Sequence, residues 1–352
     1  MGNANLDFSS DNAAGVAPEI MAALAQAASG RAGAYGADQW TEKLQRIFSD
    51  LFGREVGVLP VVTGTAANCL ALATATPSHG AMLCHRNSHV NEDECGAASV
   101  FAHGGKIVPV DGPMGKIDPQ ALKAAIAVMP KGVVHRSQAT AVTLTQATES
   151  GTIYKPDEIA AIAAIAAKSQ LCLHMDGARF GNAIAALKRP PADITWKLGV
   201  NVLSFGATKG GAMGAEALVF FDKSRLSDVE FRRKQAGHLL SKMRFVSAQL
   251  LAYVQDDLWL RLCGHANAMA ARLADGLANL PGVTLAYPVE ANELFVRLPL
   301  PVIDRLKRAG ARFYEWEWEL PEGAISMLVR LVTAFDTRAE DVDALLAAAT
   351  IR

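Results

Sequence analysis

A chain of 352 residues, 51% of them apolar, exceeds what one hydrophobic core usually organises and can fill two. The formal net charge is −1, with 34 Lys and Arg against 35 Asp and Glu, so the basic stripe that a nucleic-acid backbone requires is absent and nucleic acid is excluded as a partner. The five cysteines are dispersed and form no CxxC pair, which excludes a disulfide framework and a zinc site and reads as reduced thiols in a cytoplasmic protein.

The N-terminus, Met1-Gly2-Asn3-Ala4-Asn5-Leu6-Asp7, lacks the basic start and apolar run of a leader, and no window reaches the roughly 18 to 20 uncharged apolar residues of a membrane span. Residues 1–50 belong clearly to neither of two domains. With Ser9-Ser10-Asp11-Asn12 and Ala34-Tyr35-Gly36-Ala37-Asp38, they read as an arm that packs on a neighbouring subunit. From residue 51 to 245, short β-branched runs alternate with helical stretches. Strands are expected over 56–62, 81–84, 106–110, 132–135, 171–175, 200–204 and 217–221. Short apolar strands alternating with helices are the pattern of a mostly parallel sheet covered on both faces, an α/β domain. Between two of them, residues 157–168 carry Ile159, Ile162 and Ile165 on one face and follow Pro156, which predicts an amphipathic crossover helix. Residues 246–352 change order: a long helical stretch breaks at Pro281-Gly282, and strands over 294–298 and 328–333 then mix with helices. The last helix opens with the capping-box spacing Thr337-Arg-Ala-Glu340. This part reads as a smaller α+β domain. No internal repeat or low-complexity tract is evident.

The chemistry-bearing residues fall at the expected strand ends. Strand 56–62 runs into Thr63-Gly64-Thr65-Ala66-Ala67-Asn68. A small-residue turn at a helix N-terminus offers free N–H groups and a hydroxyl, which suits a phosphate, and it is equally compatible with an ordinary threonine N-cap. Asp176 closes strand 171–175 in His174-Met175-Asp176-Gly177-Ala178-Arg179. A carboxylate there can keep a pyridine nitrogen protonated, or can simply cap a helix. Lys209 lies in Ser204-Phe205-Gly206-Ala207-Thr208-Lys209-Gly210-Gly211, after an apolar strand and amid glycines that let backbone approach a ligand. An amine in that setting suits a Schiff base with an aldehyde, although an isolated Lys-Gly-Gly is also a surface turn. With Asp176 it points to pyridoxal 5'-phosphate. His89 follows the strand ending at Cys84 and can lay its imidazole over a pyridine face, and His135, at the end of strand 132–135, is a candidate base. His85, His103, His174, His238 and His265 read as structural. Arg330 interrupts a late apolar strand, so it needs a partner: a substrate carboxylate or the internal Glu293.

Taken together these segments resemble the low-specificity L-threonine aldolases and phenylserine aldolases, fold-type I (aspartate aminotransferase-like) pyridoxal phosphate enzymes. The likeness runs from Ser10-Asp11-Asn12 through Tyr35-Gly36-Ala37-Asp38, Gly64-Thr65-Ala66-Ala67-Asn68, His89 to Gly96, Thr145-Gln146-Ala147-Thr148-Glu149, the Asp176 and Lys209 segments, to Arg330-Leu331-Val332-Thr333. It implies retro-aldol cleavage of β-hydroxy-α-amino acids to glycine and an aldehyde, with no metal. Lys209 would hold the cofactor covalently, Asp176 its ring nitrogen, His89 its ring face, and Gly64, Thr65 and Thr208 its phosphate. Ser10, Arg179 and Arg330 would hold the substrate carboxylate. Tyr35 and residues near Lys242 and Arg244 would reach the site from an adjacent subunit of a dimer-based homotetramer. Two positions depart from the family. Many relatives carry an Asn-Thr-His motif where this chain has Gln146-Ala147-Thr148-Glu149, so His135 is the substitute base, with His89 or a water next. Gly210 also stands where asparagine often follows the lysine. A β-eliminating lyase, a racemase or an aminotransferase of the same fold, and a non-catalytic binding protein, are the rival readings; a serine hydroxymethyltransferase would need a folate-binding segment that the chain does not show.

Overall fold

The computed structural model describes residues 4–317 and 319–350; Met1, Gly2 and Asn3 of the N-terminal segment read above lie outside the described residues. Among these residues no helix is long and apolar enough to cross a membrane. The larger sheet has seven strands: β1 (Gly57–Val61), β2 (Gly80–His85), β3 (Lys106–Val110), β4 (Gln138–Thr145), β5 (Cys172–Gly177), β6 (Val202–Gly206) and β7 (Glu216–Phe220), in the order β1-β7-β6-β5-β4-β2-β3. Neighbours pair in parallel from β3 across to β6, while β7 runs antiparallel to both β6 and β1. Strands β1 to β6 therefore all end at one edge of the sheet. Their side chains are buried throughout in β1, β2, β6 and β7, as strands covered on both faces must be, whereas the edge strand β3 is partly exposed. The other edge, β1, is covered by the helix Gln39–Phe52: the amide of Gln45 donates to the Val58 carbonyl and its Oε1 accepts from the Val58 N–H at 3.0 Å, standing in for a neighbouring strand.

The sequence expectation fails in one strand. Residues 132–135 are not a strand but part of an exposed turn, and the true strand begins at Gln138. Gly132-Val133-Val134 has β propensity without a place in the sheet: Val134 is 92% exposed. The helix Pro156–Lys168 is as expected, with Ile159, Ile162 and Ile165 buried.

A second sheet has β8 (Thr284–Leu285), β9 (Glu293–Pro299), β10 (Tyr314–Glu315) and β11 (Ser326–Val332) in the order β10-β11-β9-β8, all antiparallel. Its hydrophobic cluster includes Leu294, Val296, Val329 and Leu331, with Leu273 and Leu277 from the helix Leu258–Ala278 and Leu345 from the helix Ala339–Thr350. That last helix does not use the expected box: Thr337 Oγ1 accepts from the Ala334 N–H behind it, and Asp341 accepts from the Arg338 N–H.

The division at residue 245 falls inside the helix Arg244–Val254, whose Val246, Leu250 and Tyr253 belong to the large-sheet core together with Trp259 and Leu262. The two cores meet along the helix Leu258–Ala278, which serves both. The first 50 residues are likewise part of this chain's own packing. Leu44, Phe48 and Phe52 enter the large core; Phe8 enters the small one, its N–H bonded to the Arg312 carbonyl and its carbonyl to the Val332 N–H.

Phe205 on β6 lies against Phe48 (5.0 Å between ring centroids), Phe180, Tyr253 and Trp259, so one side chain joins the N-terminal helix, the sheet and the C-terminal helices. Substituting Phe205→Ala is expected to cost about 3–5 kcal/mol of stability, read as a shifted midpoint in urea unfolding.

Candidate active site

A cavity of about 270 Å³ opens at the common edge of β1 to β6, lined by Thr63, Gly64, Thr65, Asn68, His89, Glu94, Thr145, Glu149, Asp176, Arg179, Thr208, Lys209 and Glu216, among others. Strand ends of a parallel sheet deliver side chains to one place because every crossover brings the next strand back in the same direction.

Asp176 ends the central strand β5 and is 5% exposed. Its Oδ2 accepts from Asn68 Nδ2 at 2.8 Å and its Oδ1 from the Ala178 N–H at 3.0 Å. The same Asn68 amide donates to Glu94 Oε1 at 2.8 Å, and Glu94 Oε1 meets His89 Nδ1 at 2.9 Å. A buried chain thus runs from Asp176 through Asn68 and Glu94 to His89. The hydrogen bond to Glu94 raises the His89 imidazole above its ordinary value against the opposing effect of burial. With Glu94 Oε1 as acceptor the proton sits on Nδ1 and Nε2 is the free ring nitrogen.

The helix Gly64–Ala75 starts at the end of β1, with Thr63 capping it through Oγ1 and the Ala66 N–H at 3.2 Å. A Cβ placed on Gly64 would meet no heavy atom within 4 Å, so the turn faces open space, and the helix N-terminus offers unpaired N–H groups to an anion. Lys209 follows β6 in a short 3₁₀ turn. Gly210 is required there: a Cβ on it would lie 1.9 Å from Tyr253 Oη, so a larger residue forces that buried phenol to move. The donor set fits pyridoxal phosphate: an anion cradle at Gly64 and Thr65, an amine at Lys209, and a buried carboxylate at Asp176 that is backed by Asn68.

Arg179 is 9% exposed and paired with two acids. Its Nε and Nη2 donate to Asp11 at 2.7 and 2.9 Å, and its Nη1 lies 3.0 Å from Glu293 Oε2. Burial alone would push the Asp11 carboxyl up, but the Arg179 guanidinium holds it below its ordinary value. Arg330, on β11, is held loosely: 3.9 Å to Glu293 and 3.4 Å to the Ser9 carbonyl, with Nε buried and unpartnered. Tyr314 and Trp316 carry its guanidinium on their rings at 4.7 and 4.9 Å. Ser10 Oγ caps the turn at Asn12, which lines the cavity. Tyr35 is 52% exposed and outside this chain's cavity, with Lys234 over its ring at 4.9 Å.

His135 is not brought to the site. It is exposed, three residues before β4, at the opposite edge of the sheet. The eight residues of β4 separate it from Thr145 by on the order of 25 Å. His174, by contrast, is structural as expected: burial pushes it down to about 4, and Thr143 and Ser204 hydroxyls hold both ring nitrogens.

Two acids escaped the sequence reading. Glu149 lines the cavity with Oε1 accepting from the His89 N–H and Thr145 Oγ1, both at 2.8 Å, and burial pushes it up to about 7. Glu216 begins β7, is 7% exposed, and is likewise pushed up to about 7 by burial. Glu149 closes the Thr145–Glu149 segment but was given no role there; Glu216 shows only as a lone acid heading an apolar strand.

A family model described as beta-eliminating lyase matches residues 7–299. The chain is 44% identical to a low specificity L-threonine aldolase of Pseudomonas aeruginosa over 95% of its own length and 94% of the relative's. It is 43% identical to a low specificity L-threonine aldolase of a Pseudomonas species over 87% and 88%. Among solved structures, a Leishmania major threonine aldolase superposes with a TM-score of 0.91 at 27% identity, covering 98% of both chains.

Replacing Glu94→Gln is expected to bring the His89 imidazole down toward 6.5, followed by NMR titration of its ring protons. Arg179→Ala strands two buried carboxylates, Asp11 and Glu293, and is expected to destabilise the fold by about 3–5 kcal/mol in urea unfolding.

Proposed function

The chain belongs to the beta-eliminating lyase family, and from that premise we propose that it is an L-threonine aldolase, cleaving L-β-hydroxy-α-amino acids of the threonine, allo-threonine and phenylserine class to glycine and an aldehyde. It is a fold-type I lyase that uses pyridoxal 5'-phosphate. The observation that carries the reading is the single cavity that gathers Lys209, Asp176 and the Gly64-Thr65 turn.

Bound pyridoxal phosphate supplies an electron sink for the pair released when Cα–Cβ breaks. The rest is the work of this chain's side chains. Lys209 would hold the cofactor through its aldehyde carbon, Gly64, Thr65 and Thr208 would hold its phosphate, and His89 would face its ring. Asp176 would accept a hydrogen bond from the ring nitrogen and keep it protonated; Asn68 holds the carboxyl in place for that role. Arg330 is the better receptor for the substrate carboxylate, because its contacts are long and one nitrogen is unpartnered, whereas Arg179 is committed to Asp11 and Glu293. Ser10 lies beside them and completes the set. A clamp on the carboxylate sets which bond at Cα stands ready to break. With His135 out of reach, His89 is the proton acceptor for the β-hydroxyl, through Nε2, with Glu94 orienting the ring.

We take the working form to be a homo-oligomer, a tetramer built from dimers, in which Tyr35 and the segment around Lys242 and Arg244 complete a neighbour's site. Exposed Tyr35, Met213 (55%) and Phe231 (74%) support an extensive contact between copies. The unpaired cysteines support a cytoplasmic setting.

Incubation with threonine and pyridoxal phosphate should yield glycine and acetaldehyde in equal amounts, and borohydride should fix the cofactor on Lys209 alone. Pyruvate and ammonia as products would favour a β-elimination instead, and a label elsewhere would overturn the assignment of the lysine. Arg330→Ala should remove about 1.5–3 kcal/mol of carboxylate binding, roughly 10- to 100-fold in KM, with a smaller change in kcat.

A further inference from the structure

Glu216 has no part in the mechanism above, yet its position in the sheet is specific. It pairs with Val61 at the end of β1 and with Gly206 at the end of β6. The first strand runs into the Thr63–Thr65 turn and the second into Thr208-Lys209. The Glu216 carboxyl therefore stands in the cavity wall between the phosphate cradle and the lysine. Lys209 and Asp176 act on it across the cavity, and Tyr253 from the helix Arg244–Val254 lies within electrostatic reach. One strand away, Arg233 and His238 are engaged with the backbone of Pro60 and Val62. A carboxylate at this place would face the dianionic phosphate of the cofactor, charge against charge and out of water, which is unfavourable for both.

We propose that Glu216 couples cofactor capture to proton uptake: its carboxylate balances Lys209 in the free pocket, and it becomes a neutral acid able to donate a hydrogen bond when a phosphorylated pyridine ligand settles between the Thr63–Thr65 turn and Thr208. One proton from solvent joins one carboxylate oxygen; no other bond changes. The proposal rests on the cofactor assigned above. Burial brings the free carboxyl up to about 7 despite the opposing pull of Thr208 and Lys209. The phosphate raises it further, so the bound form holds more protons than the free form above about pH 7. Affinity is then unaffected by this group below about pH 7 and falls by up to about tenfold for each pH unit above it.

The test uses the full chain freed of cofactor and pyridoxamine 5'-phosphate, which has no aldehyde to react with Lys209 and whose phosphate, ionising near 6, stays dianionic. Calorimetric titration near pH 8 in two buffers of different ionisation enthalpy should report uptake of close to one proton per site, and affinity should fall about tenfold between about pH 7.5 and 8.5. Glu216→Gln should take up close to one proton fewer per site than the unsubstituted protein, with a correspondingly shallower pH dependence, any uptake by the ring nitrogen being common to both. Absence of proton uptake by the unsubstituted protein, which needs no variant to fold, or the same uptake in Glu216→Gln, would overturn the proposal. Failure of pyridoxamine phosphate to bind at any pH would instead overturn the cofactor reading.

Discussion

Everything at the site depends on holding one carboxyl group in place inside the protein. Asp176 sits at the end of the central strand, almost out of solvent, and carboxyl oxygens buried there need hydrogen-bond donors. Two come from the chain itself, from Asn68 and the Ala178 N–H. The Asn68 contact has a geometric consequence. It anchors the helix Gly64–Ala75 one turn from its start, and that start is the anion cradle. A single helix therefore sets the span between the Asp176 carboxyl and the Gly64-Thr65 turn, and Glu94, held by the same amide, brings His89 into the same frame.

Charge is balanced by alternation. Asp11, Arg179, Glu293 and Arg330 form a row in which each arginine lies beside an acid, and the row ties the N-terminal segment, the large sheet and the small sheet together. Buried ion pairs of this kind add little net stability, but removing one member leaves its partners uncompensated. The row is uneven. Arg179 is bidentate to Asp11 and lies against Glu293, whereas Arg330 has only long contacts and keeps a buried unpartnered Nε on an aromatic platform. That asymmetry separates the two arginines, which looked alike in the sequence: Arg179 ties the segments together, and Arg330 keeps spare donors, which suits the carboxylate role proposed for it.

The parts of the site that lie in sequence-local motifs were legible. Lys209, Asp176, His89 and Gly64-Thr65 each end or follow a strand, and all reach one cavity. What failed depended on tertiary context. Gly132-Val133-Val134 has the composition of a strand, but a run of three residues cannot be told from an exposed turn by composition, and the shift of a few residues to Gln138 moved His135 to the wrong edge of the sheet. The helix Leu258–Ala278 is apolar toward two cores at once, a double duty that its sequence alone does not display. Glu216 was invisible for another reason: an isolated acid reads as surface until its neighbours in space are known, and Glu149, though part of the Thr145–Glu149 segment, had no role there for the same want of neighbours.

Those two acids alter how the pocket handles protons. With Asp176 and Glu94 they place four carboxyl groups around a cavity of about 270 Å³, facing Lys209, Arg179 and His89. Burial pushes Glu149 and Glu216 to about 7, so near neutral pH their charges respond to whatever enters, while Asp176 and Glu94 share the Asn68 amide. Cleavage of a β-hydroxy amino acid moves one proton from oxygen to carbon with no net release. A pocket that already stores protons on weakly committed acids can absorb the charge of a dianionic cofactor and a substrate carboxylate without admitting counterions.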